Sequence, residues 1–302
     1  MKFSIITPAY NMEDWISQTI ESVLNQAGDF EIEYILVNDG SIDNTENIIK
    51  HYQDLVSQKK YPIKCHAITI ELINQNNAGA NNAMNTGFAQ MSGDICTWLD
   101  GDNIFDPDAF IKIQSVFLQW PDIKWIKGIT STIDEKGLIL KKGFCKIYKK
   151  SWLAQGIYGK EAYFVEADSV FFKPELWRQV GPIPDHFRSA GDYWLWINFA
   201  KVTKLWSFDT PISYFRKRSG QLSKNISNYT SEQKLARPKR TASAWKARLF
   251  FSPQSRLVYK FPKIEEFFIW LYPKFFNDKK ELYITYDQDN NLIKKEMLSY
   301  RV

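Results

Sequence analysis

The sequence predicts an α/β fold with a mostly parallel sheet flanked by helices. Two observations support this prediction. Short apolar runs alternate with segments of helical periodicity through the first hundred residues, and a polar loop follows each of several predicted strands. Strands that alternate with helices at this spacing form parallel βαβ units. In such sheets ligands bind outside the carboxyl ends of the strands, so the polar loops there are the first candidates for a functional site.

The N-terminal elements follow from the pattern of apolar residues. Strands are predicted at residues 3–7, 33–37, 68–73 and 95–99, where short apolar runs rich in β-branched residues end in polar loops. Helices are predicted at residues 12–26, 46–58 and 78–91. The sequence Asp43-Asn44-Thr45 supplies side chains that favour a helix start before the second of these.

The pattern is less regular after residue 105. Strands are predicted at residues 125–133, 144–148 and 212–215, and helices at residues 175–180 and 193–202. A closing hairpin is predicted from residues 282–286 and 292–298, because Asp289-Asn290-Asn291 between them favours a turn.

Composition excludes several classes of protein. No run approaches the roughly 20 apolar residues of a membrane-spanning helix, and the N-terminus does not have the pattern of a secretory signal. The three cysteines are far apart and form no C-x-x-C pair, so a zinc site or a disulfide framework is not expected. The glycine-rich motifs of dinucleotide-binding and P-loop proteins are absent. We therefore expect a cytoplasmic protein.

Asp100-Gly101-Asp102 is the most informative short motif. Two carboxylates one residue apart on extended backbone point the same way, and carboxylate oxygens are the ligands that Mg²⁺ and Mn²⁺ prefer. Taken alone, the motif would be interpreted as a solvated turn. Its place directly after an apolar strand favours a metal site instead.

Two other strand ends carry polar groups. Asp39 follows the second predicted strand and can accept hydrogen bonds from a base or a ribose, although N-D-G-S is also an ordinary turn. The segment Thr7-Pro8-Ala9-Tyr10-Asn11 offers a hydroxyl, a ring and exposed backbone at the neighbouring strand end. Each signal is weak by itself.

Together these motifs resemble those of family 2 glycosyltransferases with the GT-A fold. The resemblance rests on SIITPAYN, YILVNDGSIDNT, NAGANNAMNTGFAQMSGD and TWLDGDN in this order, followed by VFFKPELWRQVGPIPDHFRSAGDYWLWINFA. It covers roughly residues 1–225. It implies a Rossmann-like sheet and an inverting transfer of sugar from a nucleoside-diphosphate sugar, such as a UDP-sugar, to an acceptor hydroxyl. The acceptor would be a glycan or a lipid-linked molecule in the synthesis of a surface polysaccharide.

The resemblance also assigns residues to the donor. The base and ribose would contact four residues of the first two strand ends: Thr7, Pro8, Tyr10 and Asp39. Gly79 and Asn85 occupy positions that lie against the nucleotide in the family. Asp100 would face the ribose and the metal, and Asp102 would coordinate the divalent cation, Mn²⁺ or Mg²⁺.

Chemistry at the acceptor is assigned to Asp192. The resemblance places it as the catalytic base, which takes the proton of the acceptor hydroxyl, although an Asp here can also cap the helix that follows. Asp168 is a candidate for binding sugar or acceptor hydroxyls, and the alternative is a solvated strand end. Trp194 and Trp196 face different directions on their helix, so we expect one in the core and one, taken as Trp194, against a sugar.

The sequence departs from the family pattern at three places. Met84 stands where the family has an arginine, and Gly191 replaces the acidic residue that often precedes the base. Arg218 stands where many relatives have a histidine near the metal. Because a guanidinium grips phosphate but does not ligate a cation, Arg216 or Arg218 is predicted to contact the diphosphate. A solvated basic loop is the alternative.

The basic charge is confined to the C-terminal part of the chain. Residues 237–302 contain 14 Lys and Arg against 7 Asp and Glu, whereas the whole chain has a net charge of +5. We expect a catalytic domain over residues 1–234, with a nucleotide-binding half (1–104) and an acceptor half (105–234). Residues 235–302 would form a basic, aromatic extension. This extension could pack on the domain, as we favour, or contact the inner face of a membrane; binding of nucleic acid is less favoured.

Two other functions stay open at this point. A nucleotidyltransferase would share the α/β sheet and the metal, but it would need a glycine-rich basic loop where this chain has TPAYN. An inactive module that binds nucleotide sugars is the other alternative, which the three departures from the family pattern keep open.

Overall fold

The computed structural model describes residues 1–159, 164–221, 226–239, 241, 242, 245 and 280–297. Its first part contains β1 (Lys2–Ala9), α1 (Ile16–Leu24), β2 (Glu31–Asp39), α2 (Thr45–Ser57), β3 (Ala67–Gln75), α3 (Ala80–Gln90), β4 (Ile95–Trp98), β5 (Ile104–Phe105) and α4 (Ala109–Gln119). The rest contains β6 (Trp125–Ile133), β7 (Ile139–Lys141), α5 (Lys150–Leu153), β8 (Val170–Phe172), α6 (Pro174–Val180), α7 (Gly191–Val202), β9 (Trp206–Arg216), α8 (Ile226–Ala236), β10 (Glu281–Tyr286) and β11 (Leu292–Met297).

One large sheet connects the described strands. Its order is β11-β10-β9-β6-β8-β4-β1-β2-β3, with β5 beside β9 and β7 beside β6. The neighbours β4-β1-β2-β3 are parallel, as are β6 and β9. The short strand β8 runs antiparallel between β4 and β6 and joins the two parallel parts. The α/β architecture predicted from the alternating pattern is therefore confirmed.

Apolar side chains pack on both faces of this sheet. Phe171 and Phe172 are neighbours on β8, and the alternation of a strand sends them to opposite faces. Phe171 joins a cluster with Phe3 and Phe110, whereas Phe172 joins one that includes Trp98. In the latter cluster the rings of Trp98 and Trp196 stack with centroids 5.0 Å apart. Both faces of the sheet are thus covered, as a parallel sheet requires.

The strand predicted at residues 144–148 is wrong. The chain instead pairs β6 with the short strand β7 and leaves the sheet after Lys141. Gly143 then passes so close to β6 that a Cβ there would lie 2.2 Å from the carbonyl oxygen of Thr130. Ile147 and Tyr148 are buried all the same, and the sequence pattern reflected this burial and not a strand.

The predicted closing hairpin is confirmed. β10 and β11 pair antiparallel, and Ile284 of β10 lies opposite Phe208 of β9 in a parallel bridge. Ile284 is fully buried in the cluster that contains Phe171. Residues 280–297, near the end of the basic segment, are therefore part of the sheet. The predicted catalytic domain, which ends at residue 234, therefore does not include all strands of the sheet.

Most aromatic residues of the C-terminal segment, between residues 246 and 279, lie outside the described residues. Trp245 is described and is 54% exposed. Within the described ranges, no helix is both long and apolar enough to cross a membrane.

We predict that Ile284→Ala lowers the free energy of unfolding by about 2–4 kcal/mol, because it empties a buried site beside β9. Leu282→Ala is the matched control, since Leu282 lies on the same strand but is 37% exposed; we expect it to cost below about 1 kcal/mol. Urea denaturation measures both. Equal effects of the two variants would contradict the placement of β10.

Candidate active site

The loops at the carboxyl ends of β1, β2 and β4 lie side by side. The backbone N–H of Asn11 donates to Ser41 Oγ at 3.0 Å, and Asn11 Oδ1 accepts from the N–H of Ile42 at 2.9 Å. Thr19 Oγ1 donates to the carbonyl oxygen of Gly101 at 3.0 Å, which joins α1 to the β4 loop. The prediction that these polar loops share one edge of the sheet is confirmed.

Asp39 is buried and holds the loop that precedes α3. Its carboxylate accepts hydrogen bonds from the backbone N–H groups of Ala78 and Gly79, both at 2.8 Å, and from Gln75 Nε2 at 2.7 Å. Gly79 has a φ of 92°, a conformation that favours glycine. Asp39 thus fixes the backbone of this loop, and its direct contact with a nucleotide stays a prediction.

The end of β1 and the residue that follows it expose one of three predicted contacts. Thr7 and Pro8 are buried, and Thr7 Oγ1 shares a hydrogen bond of 3.0 Å with the Tyr34 hydroxyl inside the domain. The Thr7 hydroxyl thus has a partner inside the domain, and the contact of Thr7 with the donor stays a prediction. Tyr10 is 43% exposed and presents its ring at the strand ends.

Buried carboxylates crowd the end of β4. Asp168 Oδ1 accepts hydrogen bonds from Asn103 Nδ2 at 3.0 Å and from the N–H of Asp100 at 3.4 Å. Burial raises the pKa of Asp168 to about 6. Burial, together with the charges of Asp168, Asp102 and Asp192, raises the pKa of Asp100 well above its usual value. The charges of three aspartates thus act on Asp100. Asp168 is hydrogen-bonded to the Asp100 loop, and its contact with sugar hydroxyls stays a prediction.

Asp102 is 5% exposed and pairs with Arg218. Its Oδ2 accepts from Arg218 Nε at 2.6 Å and from Gln221 Nε2 at 3.2 Å. These two bonds fix Oδ2 on the loop that follows β9. Arg218 is part-buried, and its guanidinium lies 5.9 Å from the centre of the Trp15 ring.

A divalent cation fits this site if a substrate completes its ligand shell. In the described ranges no three carboxylate, imidazole or thiol groups form a ready-made metal site. However, Asp102 Oδ1 accepts no hydrogen bond from a described residue. The neighbouring negative charges that raise the pKa of Asp100 also favour a positive charge nearby. Mg²⁺ is commonly held by one or two carboxylates together with substrate phosphates.

Arg216 is held inside the domain. It is fully buried, and its guanidinium donates to the carbonyl oxygens of Asp102, Asp134 and Glu135 and to Gln18 Oε1, at 2.8–3.2 Å. Arg216 thus ties the Asp102 loop to the turn between β6 and β7. The contact of Arg216 or Arg218 with the diphosphate stays a prediction.

Asp192 lies in the first turn of α7. Its carboxylate accepts hydrogen bonds from the backbone N–H of Tyr193 at 2.7 Å and from the Tyr229 hydroxyl at 3.0 and 3.1 Å. Burial raises the pKa of Asp192 to about 6, although these hydrogen bonds act to lower it. A carboxylate with this pKa is ionised at neutral pH and can still take a proton, as a general base must.

Helix α8 holds the Asp192 region, and the sequence did not reveal this. One turn after Tyr229, the Glu232 carboxylate accepts from the backbone N–H groups of Arg188, Ser189 and Ala190, at 2.8–3.1 Å. Residues three apart on a helix share a face, so both side chains reach the start of α7 together. The spacing of Tyr229 and Glu232 in the sequence could indicate that they share one face of a helix, but only the fold shows what the two side chains contact.

Helix α3 accounts for two departures from the family pattern. A Cβ at Gly191 would lie 2.5 Å from the Asn81 side chain, so a larger residue does not fit there. Met84, which stands in place of an arginine, is buried in the apolar cluster around Trp98. The Asn85 amide exchanges two hydrogen bonds, of 2.8 and 2.9 Å, with the backbone of Ile183, and a position of Asn85 against the nucleotide stays a prediction.

A cavity of about 360 Å³ opens between α3 and residues 183–188. Gly79, Asn82, Asn85 and Arg188 line it, and the loop held by Asp39 forms one end. This volume falls in the range of small-molecule sites. Trp194 is half-buried with its ring 6.2 Å from Phe187, another lining residue, whereas Trp196 is in the core. A sugar contact of Trp194 stays a prediction.

Comparison with known proteins identifies relatives. The family model described as glycosyl transferase family 2 matches residues 4–156. An uncharacterized glycosyltransferase of Nostoc sp. is 28% identical over 77% of this chain and 70% of its own length. One from Rickettsia felis is 29% identical over 76% of the chain, which spans only 36% of that protein. The minor teichoic acid biosynthesis protein GgaA of Bacillus subtilis is 37% identical over 38% of the chain and 24% of its own length.

Two solved structures share the fold. Residues 1–349 of S. aureus TarS in complex with UDP-GlcNAc match with a TM-score of 0.59 at 16% identity, over 84% of this chain and 74% of that one. The mannosyltransferase PcManGT from Pyrobaculum calidifontis, in complex with GDP-Man and Mn²⁺, matches with a TM-score of 0.56 at 14% identity, over 89% and 74%. The predicted GT-A fold is therefore confirmed.

We predict that two substitutions on α8 move the pKa of Asp192 in opposite directions. Tyr229→Phe removes a donor to the ionised carboxylate and raises that pKa further above about 6, whereas Glu232→Gln removes a nearby negative charge and lowers it. Carboxyl-carbon NMR of labelled aspartate measures the titration. Tyr286→Phe, on the far strand β10, is the control and leaves it unchanged. Shifts of the same sign in both α8 variants would contradict this geometry.

Proposed function

The chain belongs to glycosyltransferase family 2, and from this premise we propose that it moves one sugar from a nucleoside-diphosphate sugar to an acceptor hydroxyl with inversion. The observation that carries this proposal is the position of Asp192. It lies close enough to Asp100 to affect its titration, and its own pKa of about 6 suits a base near neutral pH.

The donor is proposed to lie across the strand ends, with its nucleotide between Tyr10 and the loop that Asp39 holds. The cavity beside Gly79 continues from this loop and has room for part of the ligand. Because TarS is seen in complex with UDP-GlcNAc, a UDP-sugar is the first donor to test. The sugar would lie between the β4 carboxylates and Asp192.

The reaction is proposed to be a single displacement. As the acceptor oxygen bonds to the anomeric carbon, the carbon–oxygen bond to the diphosphate breaks and the hydroxyl proton passes to Asp192. Arg218 lies beside Asp102 and can donate charge-assisted hydrogen bonds to the leaving diphosphate. A divalent cation held by Asp102 would offset negative charge on the same group.

The acceptor is proposed to belong to a surface polymer. This proposal is supported by GgaA, whose name places it in the biosynthesis of a minor teichoic acid. The full activity and the partners of the chain are proposals as well, because it spans only part of several relatives.

We predict that Asp192→Asn lowers kcat by about 10²–10⁴-fold with little change in the donor KM, because it removes the base and keeps the shape. Asp122→Asn, an exposed site, is the control. Turnover of UDP-GlcNAc and related donors is followed by release of the nucleoside diphosphate. A wild type that binds donors but never turns one over would support the inactive binding module instead.

The wild-type rate is predicted to fall as the pH drops through about 6, because only ionised Asp192 accepts a proton. The dependence of kcat on pH measures this.

The contribution of Asp192 to the free energy of unfolding changes in the opposite direction and falls as the pH rises. The raised pKa means that the folded state binds the Asp192 proton more tightly than the unfolded state, so ionisation costs stability between about pH 4 and pH 6. Asp192→Asn should therefore raise Tm relative to wild type at pH 7 and much less at pH 4. A difference in Tm that does not depend on pH would contradict the raised pKa.

We predict that Mn²⁺ increases the thermal stabilisation by a UDP-sugar and that Asp102→Asn loses this increment. A ligand that binds only the folded state raises its stability, so the shift in Tm reports binding without turnover. Asp106→Asn is unsuitable as a control because Asp106 pairs with Lys112; Asp122→Asn serves again. If Asp102→Asn keeps the full Mn²⁺ increment, Asp102 is not the metal ligand.

A further inference from the structure

A second, basic cavity lies on the acceptor side of the sheet, between β6 and the chain that follows β7. Its volume is about 90 Å³, enough for several water molecules or one small anion. Four lysines line it, namely Lys127, Lys141, Lys142 and Lys146, and Glu166 is the acidic residue of the lining. The lining therefore has a formal net charge of +3.

Lys127 is the deepest of these lysines. It is 3% exposed on β6, a strand inside the sheet, and its Nζ lies 3.0 Å from Glu166 Oε2 and 2.8 Å from the carbonyl oxygen of Gly128. A register irregularity follows Lys127 in the pairing of β6 with β9. Such a bulge alters the alternation of side chains, and Lys127 lines the same cavity as Thr130 and Thr132. A lysine buried this deeply needs a partner of opposite charge.

One carboxylate serves two buried ammonium groups. Lys146 Nζ contacts Glu166 Oε1 while Lys127 contacts Oε2. Burial lowers the pKa of Lys146, and the charges of Lys127 and Lys141 lower it further against the opposing effect of Glu166. The described lining thus carries more positive than negative formal charge, and a concave surface lined by one sign of charge attracts ions of the opposite sign.

The cavity adjoins the proposed active site. Thr130 Oγ1 donates to Ser169 Oγ at 2.8 Å, and Ser169 follows Asp168, whose carboxylate bonds to the Asp100 loop. Lys141 and Lys142 are exposed at the opening. Phe144, which also lines the cavity, is 39% exposed. Three apolar side chains on or next to β7, namely Leu138, Ile139 and Leu140, are 52–65% exposed.

We propose that this cavity binds a phosphate group carried by the acceptor and so aligns the acceptor for transfer. This inference depends on the proposed function only where it calls the ligand the acceptor, because the binding of a phosphate in this cavity is independent of sugar transfer. A phosphate offers the charge and the oxygen acceptors that the four ammonium groups match. Its source is either a soluble polyol phosphate or a lipid headgroup.

The test is a titration of the full chain with glycerol 3-phosphate, followed by phosphorus NMR at low salt. We expect saturable binding that is about tenfold weaker in the double variant Lys141→Gln/Lys142→Gln, since charge-assisted contacts are lost. Lys59→Gln/Lys60→Gln changes the same charge at an exposed pair after α2 and is the matched control. Lys142→Arg in the wild-type background should keep binding.

The second arm uses flotation with phosphatidylcholine vesicles, with and without phosphatidic acid. Binding that needs phosphatidic acid and is lost in the Lys141/Lys142 variant identifies a lipid phosphate, and binding of glycerol 3-phosphate alone identifies a soluble one. No binding in either arm, or equal loss in the two double variants, overturns the proposal. Hydrolysis of the donor by the wild-type chain, measured without an acceptor, tests the proposed function separately. Absence of this hydrolysis would contradict the proposed function, whereas the phosphate titration alone decides whether the cavity binds phosphate.

Discussion

The crowding of carboxylates at one edge of the sheet, where they lose hydration, is the constraint on which the rest of the site depends. Asp100, Asp102, Asp168 and Asp192 converge where β4, the loop before β8 and the start of α7 meet. Loss of hydration disfavours the charged form of a carboxyl group, and it raises the pKa values of Asp168 and Asp192 to about 6. The surrounding residues supply donors and positive charge that keep this edge together.

Those donors come from segments that are distant in sequence. Arg216 fixes the backbone around Asp102 from β9, and Arg218 pairs with the Asp102 carboxylate itself. On the other side, α8 contributes Tyr229 to Asp192 and Glu232 to the backbone in front of α7. The two arginines are only two residues apart, yet one is a buried structural group and the other borders the site. Burial and not residue type separates their roles.

The basic cavity extends the same reasoning to the far side of β8. There the balance is reversed, since four lysines meet one glutamate. A group of carboxylates thus lies beside a group of lysines. Ser169, which follows Asp168, hydrogen-bonds to Thr130 and to the carbonyl oxygen of Glu166 in the cavity lining. The proposed acceptor phosphate and the transferred sugar would therefore bind on neighbouring parts of one sheet.

Local sequence determined much of the fold and of the site. The strand and helix periods up to β4, the closing hairpin and the polar strand ends were readable because they depend on residues close together in the chain. The aspartates at the carboxyl edge of the sheet could be predicted for the same reason, because a motif that directly follows an apolar strand must lie at the carboxyl end of that strand. The strand predicted at residues 144–148 failed because a buried apolar run is compatible with a strand and with the irregular chain that Gly143 imposes.

Only the tertiary structure decided which of these side chains are available. The sequence shows that Thr7, Asn85 and Arg216 are polar groups near a strand end or helix, but each is used by a partner far along the chain: Tyr34, Ile183 and the Asp102 loop. The contacts of Tyr229 and Glu232, and the steric need for Gly191, likewise arise between distant segments. Hydrogen-bond partners and burial are properties of the packed chain, which is why the sequence named the candidate groups and the fold chose among them.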